Sequence, residues 1–315
     1  MLTYVARRVA GALPLLLLLS ALVFALIHAV PGGPLAMYLD NPNVRPQDIE
    51  RLRVALGLDR PLVEQYASWL RGFVAGDWGY SYADGRPAAA RIAERVPATI
   101  ELIAGSILVA LAAAVPVGVL AAARRGRLLD RASSAAATAG ISLPVFWFGL
   151  VLQLVFAVSL GWLPSSGRSS FGETGVADRL RHLLLPAAVL AAVQAAAWSR
   201  YLRASVAEAL EQRYVNAARG RGVPPRAIVW KHALRNALGP FVTVVCLDAA
   251  IMVSGAVVTE SVFAWPGIGS LFTESLARRD YTVLMALLML SAAAVVLLNL
   301  VPDVFHRALD PRVGH

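Results

Sequence analysis

The chain holds few side chains whose grouping could drive covalent chemistry, and one polar stretch whose composition suits recognition. A Walker-type phosphate loop needs glycine immediately before its lysine, whereas the single lysine, Lys231, follows Trp230. Neither His-Glu-x-x-His nor Gly-x-Ser-x-Gly occurs, so the common zinc-peptidase and serine-hydrolase signatures are absent. Cys246 is the only cysteine, which excludes an intrachain disulfide and a thiolate metal cluster. His28, His182, His232, His306 and His315 are dispersed along the sequence, a poor arrangement for a shared metal site. No catalytic residue, cofactor site or metal site is expected.

The recognition stretch runs from Tyr214 to Asn236. It reads Asn216-Ala217-Ala218, then Gly222 after three further residues, Pro224-Pro225, and Lys231 to Asn236. Gly222 can take the left-handed geometry that stops a helix, and Pro224 or Pro225 suits the first turn of the next. The expected shape is a short helix, a sharp turn and a second helix. Ala217 and Ala218 lack bulk and would let a partner approach the backbone, while Arg219, Arg221 and Arg226 offer charge around them. His232 belongs to the same surface. A plain solvated loop would need neither a small-residue pair nor a helix-stopping glycine.

The elements that must carry this hairpin are apolar and long. Hydrophobic residues make up 58% and charged residues 16%, with a mean hydropathy of +0.62, so the chain reads as an integral membrane protein. Arg7 and Arg8 precede an apolar run from Val9 to Val30, long enough to cross the hydrocarbon core. The apolar part of a cleaved signal is usually only about 7–15 residues, so this run is read as a retained first span. Further apolar runs cover Thr99 to Ala123, Ala132 to Leu160, Leu183 to Leu202, Ala237 to Val262 and Tyr281 to Phe305. Gln153 and Gln194 lie inside spans and are expected to hydrogen-bond between helices.

Six spans give a consistent orientation. Arg124, Arg125, Arg127 and Arg131 lie between spans two and three, and arginines dominate residues 200–235 between spans four and five. Both loops are therefore expected in the cytoplasm, together with the two termini. The net charge of +9 serves this orientation rather than nucleic-acid binding. On the opposite face lies the segment 31–98, with eight Arg against eight Asp or Glu. Within it Pro46 can open a helix that Gly57 closes, and a second helix follows Pro61, with Leu62, Tyr66, Trp69, Leu70 and Phe73 on one face. That face could lie on the membrane, pack over the spans, or touch a substrate. Trp265 to Gly269 predict a turn after the fifth span, with Trp265 at the membrane interface.

The hairpin resembles the Glu-Ala-Ala loop of permease subunits in binding-protein-dependent ATP-binding-cassette importers. Ala217, Ala218, Gly222 and Leu234 keep that pattern, while Asn216, His232 and Arg235 stand where it has Glu, Ile and Pro. Tyr214-Val215 and the run His232 to Ala237 look like the oligopeptide and dipeptide branch. Leu56-Gly57-Leu58-Asp59, Gly76-Asp77, Arg95 to Thr99, Gly161 to Pro164, Trp265 to Gly269 and Asp310-Pro311-Arg312 resemble the first of its two permeases, so the likeness covers essentially the whole chain.

The resemblance implies an all-α membrane protein: one permease domain over 1–315, six transmembrane helices, an extracytoplasmic helical insertion at 31–98 and a cytoplasmic coupling loop at 204–236. It implies, as partners in the cell (inner) membrane, a second homologous permease, two ATPase subunits and an extracytoplasmic solute-binding protein. The solute would be a peptide or a related molecule such as a nickel chelate, an opine or glutathione. Alternating access, driven by ATPases pressing on the loop, would be the mechanism. Trp265 to Gly269 could then gate the outer mouth or seat the binding protein. A secondary transporter or channel is the competing reading, and would need no ATPase.

Asp248 lies well inside the fifth span. A carboxylate at that depth costs about 2.5–3.5 kcal/mol unless it meets water or a partner. Three roles stay open on the sequence: lining the translocation pathway, hydrogen-bonding a partner's helix, or relaying a proton or metal ion.

Overall fold

The computed structural model describes residues 2–39, 44–173 and 175–309. The terminal Asp310-Pro311-Arg312 and His315 lie outside them. Among the described residues every regular element is helical, apart from an isolated bridge between Tyr80 and Pro87. The longer helices are α1 (Leu2–Ala29), α2 (Pro46–Ala55), α3 (Leu62–Val74), α4 (Ala88–Ala123), α5 (Leu128–Ser142), α6 (Val145–Leu152), α7 (Val176–Glu211), α8 (Arg213–Gly220), α9 (Leu234–Val262), α10 (Ile268–Ala277) and α11 (Tyr281–Leu309).

Among the described residues five stretches are long and apolar enough to cross a membrane, and a sixth counts if a bent pair is taken as one span. The bent pair is the expected third span. Its two parts, Leu128–Gly140 and Val145–Ser159, meet at 103°. Pro144 lacks an N–H and drives the residue before it out of the helical region, and Leu143 accordingly sits at ψ 132. A continuous helix over 132–160 is thus corrected to two pieces. The second piece ends in a π-helical turn, Gln153–Ser159.

The chain divides into two compact units, Met1–Pro97 with Gly267–Val296, and Ala98–Pro266 with Leu297–His315. In the first unit the aromatic face of α3 packs on the first span. Tyr66 and Ser20 share a 2.7 Å hydrogen bond. Phe24 meets Tyr66 and Trp69, and the rings of Trp69, Phe73 and Trp78 continue the series at 5.3 and 5.4 Å. Of the placements left open by the sequence, packing over a span is the one observed. A polar knot holds the start of α4: Arg91 reaches Asp84 at 3.4 Å, Glu274 at 3.4 Å and the fully buried Asp280 at 3.3 Å. Asp280 also accepts from Ser81 Oγ and the Tyr82 backbone N–H, so the buried charges are mutually satisfied.

In the second unit α4, α7 and α9 share a core that includes Ala110, Ala114, Val119, Trp198, Leu202, Ala237 and Phe241. Small residues let the helices touch. A Cβ on Gly118 would stand 2.8 Å from the Ser199 carbonyl oxygen. Thr99 donates to Glu260 at 2.6 Å. Trp265 is fully buried and donates its indole N–H to Ala98 O at 2.8 Å. An interfacial Trp265 is therefore corrected: the turn folds the ring inward, where the backbone carbonyl satisfies its one donor. Gln153 donates to Val262 O and Ser165 O, at 3.1 and 2.8 Å. Gln194 forms no side-chain hydrogen bond among the described residues, contrary to expectation.

Candidate functional site

Gln212, extended at φ −72 and ψ 151, breaks the chain between α7 and α8. That break sets the phase of α8. Val215 and Ala218 turn inward, 0% and 1% exposed, while Tyr214, Asn216, Ala217 and Arg219 face outward. The expectation that both alanines admit a partner is corrected for Ala218, whose small size serves packing behind the helix; Ala217 is open.

The helix ends in a Schellman turn. Val223 N–H bonds Ala218 O at 3.2 Å and Gly222 N–H bonds Arg219 O at 3.0 Å. Gly222 sits at φ +77, as the stop signal requires. Pro224 is extended, Pro225 opens the returning arm, and Ile228–Ala233 forms a π-helical turn that runs straight into α9. The second arm is therefore the base of the fifth span and not a separate helix, because nothing after Pro225 breaks it. Arg221 and Arg226 are exposed on either side of the turn, and His232 is half-buried.

Beside α8 lies a groove of about 370 Å³, lined by Ala122, Arg125, Ala207, Leu210, Glu211, Asn216 and Arg219. Arg219 Nη1 donates to Asn216 Oδ1 at 3.3 Å, and Arg125 pairs with Glu211 at 2.8 Å. Tyr214, Ala217, Arg221, Gly222, Arg226 and His232 stand outside it. Arg125 and Glu211, absent from the surface expected from the sequence, also belong to it. Arg203 grips both carboxylate oxygens of Asp130, whose Oδ2 also accepts from the Gly126 N–H at 2.8 Å. This fixes the loop that brings Arg125 to the groove.

Asp248 lies beyond the hairpin, midway along α9. Its Oδ2 accepts the indole N–H of Trp198, on α7, at 2.7 Å. The carboxylate thus accepts a hydrogen bond from a neighbouring helix of its own chain.

Residues 114–315 match the family described as binding-protein-dependent transport system inner membrane component, and residues 1–103 match the N-terminal membrane component of such systems. The chain belongs to this family. Over 315 residues, covering all of both chains, the permease is 40% identical to the glutathione transport system permease protein GsiC of Escherichia coli (strain K12). It is 38% identical over 317 residues, again the full length of both, to the oligopeptide transport system permease protein AppB of Bacillus subtilis (strain 168). An inward-facing structure of the MetNI methionine ABC transporter shares the fold, with a TM-score of 0.57 and 22% identity over 70% of this chain and 96% of that one. The permease is thus a multi-pass inner-membrane subunit of an ATP-binding-cassette importer. It is not itself an enzyme, and it works with ATPase and binding-protein partners.

Proposed function

We propose that residues 214–236 form the seat of an ATPase subunit, with Tyr214, Asn216, Ala217, Arg219, Arg221, Arg226 and His232 on or beside the contact surface and Ala218 and Gly222 shaping it. The carrying observation is the outward set of α8, held at fixed phase by a Schellman turn and flanked by a groove with two arginines. Such a rigid, basic projection transmits a push into α9, because the returning arm continues into it without a hinge.

The reading extends to the assembly: a second homologous permease completes the path, two ATPases act from the cytoplasm, and a binding protein delivers solute from the other side. It places 204–236 and both termini in the cytoplasm, 31–98 outside, and six spans between. The solute is a peptide or a related small molecule, as the relatives' oligopeptide and glutathione names support. Asp248 belongs to the pathway.

Co-purification tests the seat. Arg219→Glu with Arg221→Glu should release the ATPase while the permease still inserts in the membrane. An ATPase retained at the wild-type ratio would refute the reading.

A further inference from the structure

A carboxylate midway along a membrane helix needs a cation, a donor or water facing it. Asp248 has one donor. Trp198 holds Oδ2 at 2.7 Å, and the Trp198 ring is fully buried, edge-on to Phe241 at 6.3 Å. Oδ1 meets no protein donor, and no Arg, Lys or His pairs with the carboxylate among the described residues. The side chain is half-buried, not sealed, and its neighbours Leu247 and Ile251 are 42% and 65% exposed. Gln194, one turn before Trp198, is also half-buried, and its amide forms no hydrogen bond among the described residues.

This arrangement favours one class of visitor. A resident cation would neutralise the carboxylate permanently, and none is built in. A metal ion would need further ligands, and no group of three or more His, Cys, Asp or Glu side chains gathers among the described residues. A guanidinium forks most readily across two uncommitted oxygens, and here Oδ2 would have to be shared with the Trp198 N–H. One fixed oxygen in apolar surroundings suits a compact ammonium. Resting on the reading that Asp248 belongs to the pathway, we propose that Asp248 recognises a primary ammonium on the passing solute and that Trp198 positions it. The solutes carried would then bear a free, protonated amine.

The test uses the whole importer in membrane vesicles, with Cys246→Ser removing the native thiol and Ile251→Cys placing one a turn from Asp248. The probes are 2-aminoethyl methanethiosulfonate, an ammonium, and its 2-sulfonatoethyl counterpart, an anion. The ammonium reagent should react faster by about tenfold, as expected for a unit charge one helical turn away in partly apolar surroundings. Asp248→Asn should bring the ratio to about one, Asp248→Glu should restore it, and Trp198→Phe should lower it without loss of assembly. Equal rates for both reagents with Asp248 present would leave the pathway reading standing and overturn ammonium recognition. No reaction with either reagent, in any nucleotide state, would overturn both. Loss of the second permease from the Asp248→Asn complex would assign the carboxylate to the subunit interface instead and overturn the proposal.

Discussion

Gly222 and Ala264 both occupy the left-handed region, at φ +77 and +47, and only one of them is glycine. Gly222→Val places a β-branched side chain there at a cost of roughly 1–2 kcal/mol. The added atoms meet open space, since nothing lies within 4 Å of a Cβ at that position. The strain therefore falls on the backbone of the turn, and ATP hydrolysis should uncouple from uptake while membrane insertion stays normal. Uptake per ATP hydrolysed in proteoliposomes measures this. Ala264 carries the opposite liability, so Ala264→Gly should relieve strain, offset in part by added unfolded-chain entropy, for a net gain under about 1 kcal/mol. Thermal unfolding in detergent would register it as a small rise in Tm.

Helix contacts set what larger changes do. Gly118→Leu must push α4 away from the Ser199 carbonyl, which lies 2.8 Å from the new Cβ, and overpacking of this kind costs about 1–3 kcal/mol. A lower yield of folded permease by size-exclusion chromatography is the expected outcome. The loop before α4 responds to acid. Partial burial pushes the Asp84 carboxyl up, but the Arg86 backbone N–H and the Arg91 and Arg86 guanidiniums outweigh it and hold the group below its ordinary value. A depressed carboxylate adds stability above its unfolded pKa and loses it as pH falls through the folded one. Hydrogen exchange over residues 77–87 should therefore quicken below about pH 4 and lose that dependence in Asp84→Asn. At this scale the sequence was legible where local chemistry decides, as in the Gly222 stop and the aromatic face of α3. It was not legible where phase or partners come from afar. The burial of Ala218 depends on the break at Gln212, the Arg125–Glu211 pair joins segments distant in sequence, and the bend at Pro144 interrupts an apolar run long enough to read as one span.

For the molecule as a whole, the spacing of basic loops and apolar runs was legible because the bilayer imposes both. The proposed orientation can be read with thiols in a Cys246→Ser background. Val63→Cys, at a position 78% exposed, should react with an impermeant maleimide from outside intact cells, and Arg226→Cys only after the membrane is opened. The reverse pattern would invert the assignment. The π turn at Ile228–Ala233 adds a further property to the returning arm. A π turn holds one residue more than the α-helical pitch needs, and one residue corresponds to about 100° of rotation. Deleting a single residue there would let the turn close to α-helical pitch and leave everything beyond it in phase, whereas the same deletion in the regular helix between it and Asp248 would turn that carboxylate away from Trp198. The surplus residue is thus slack taken up locally, and the rotational setting of Asp248 is fixed by the regular helix that follows.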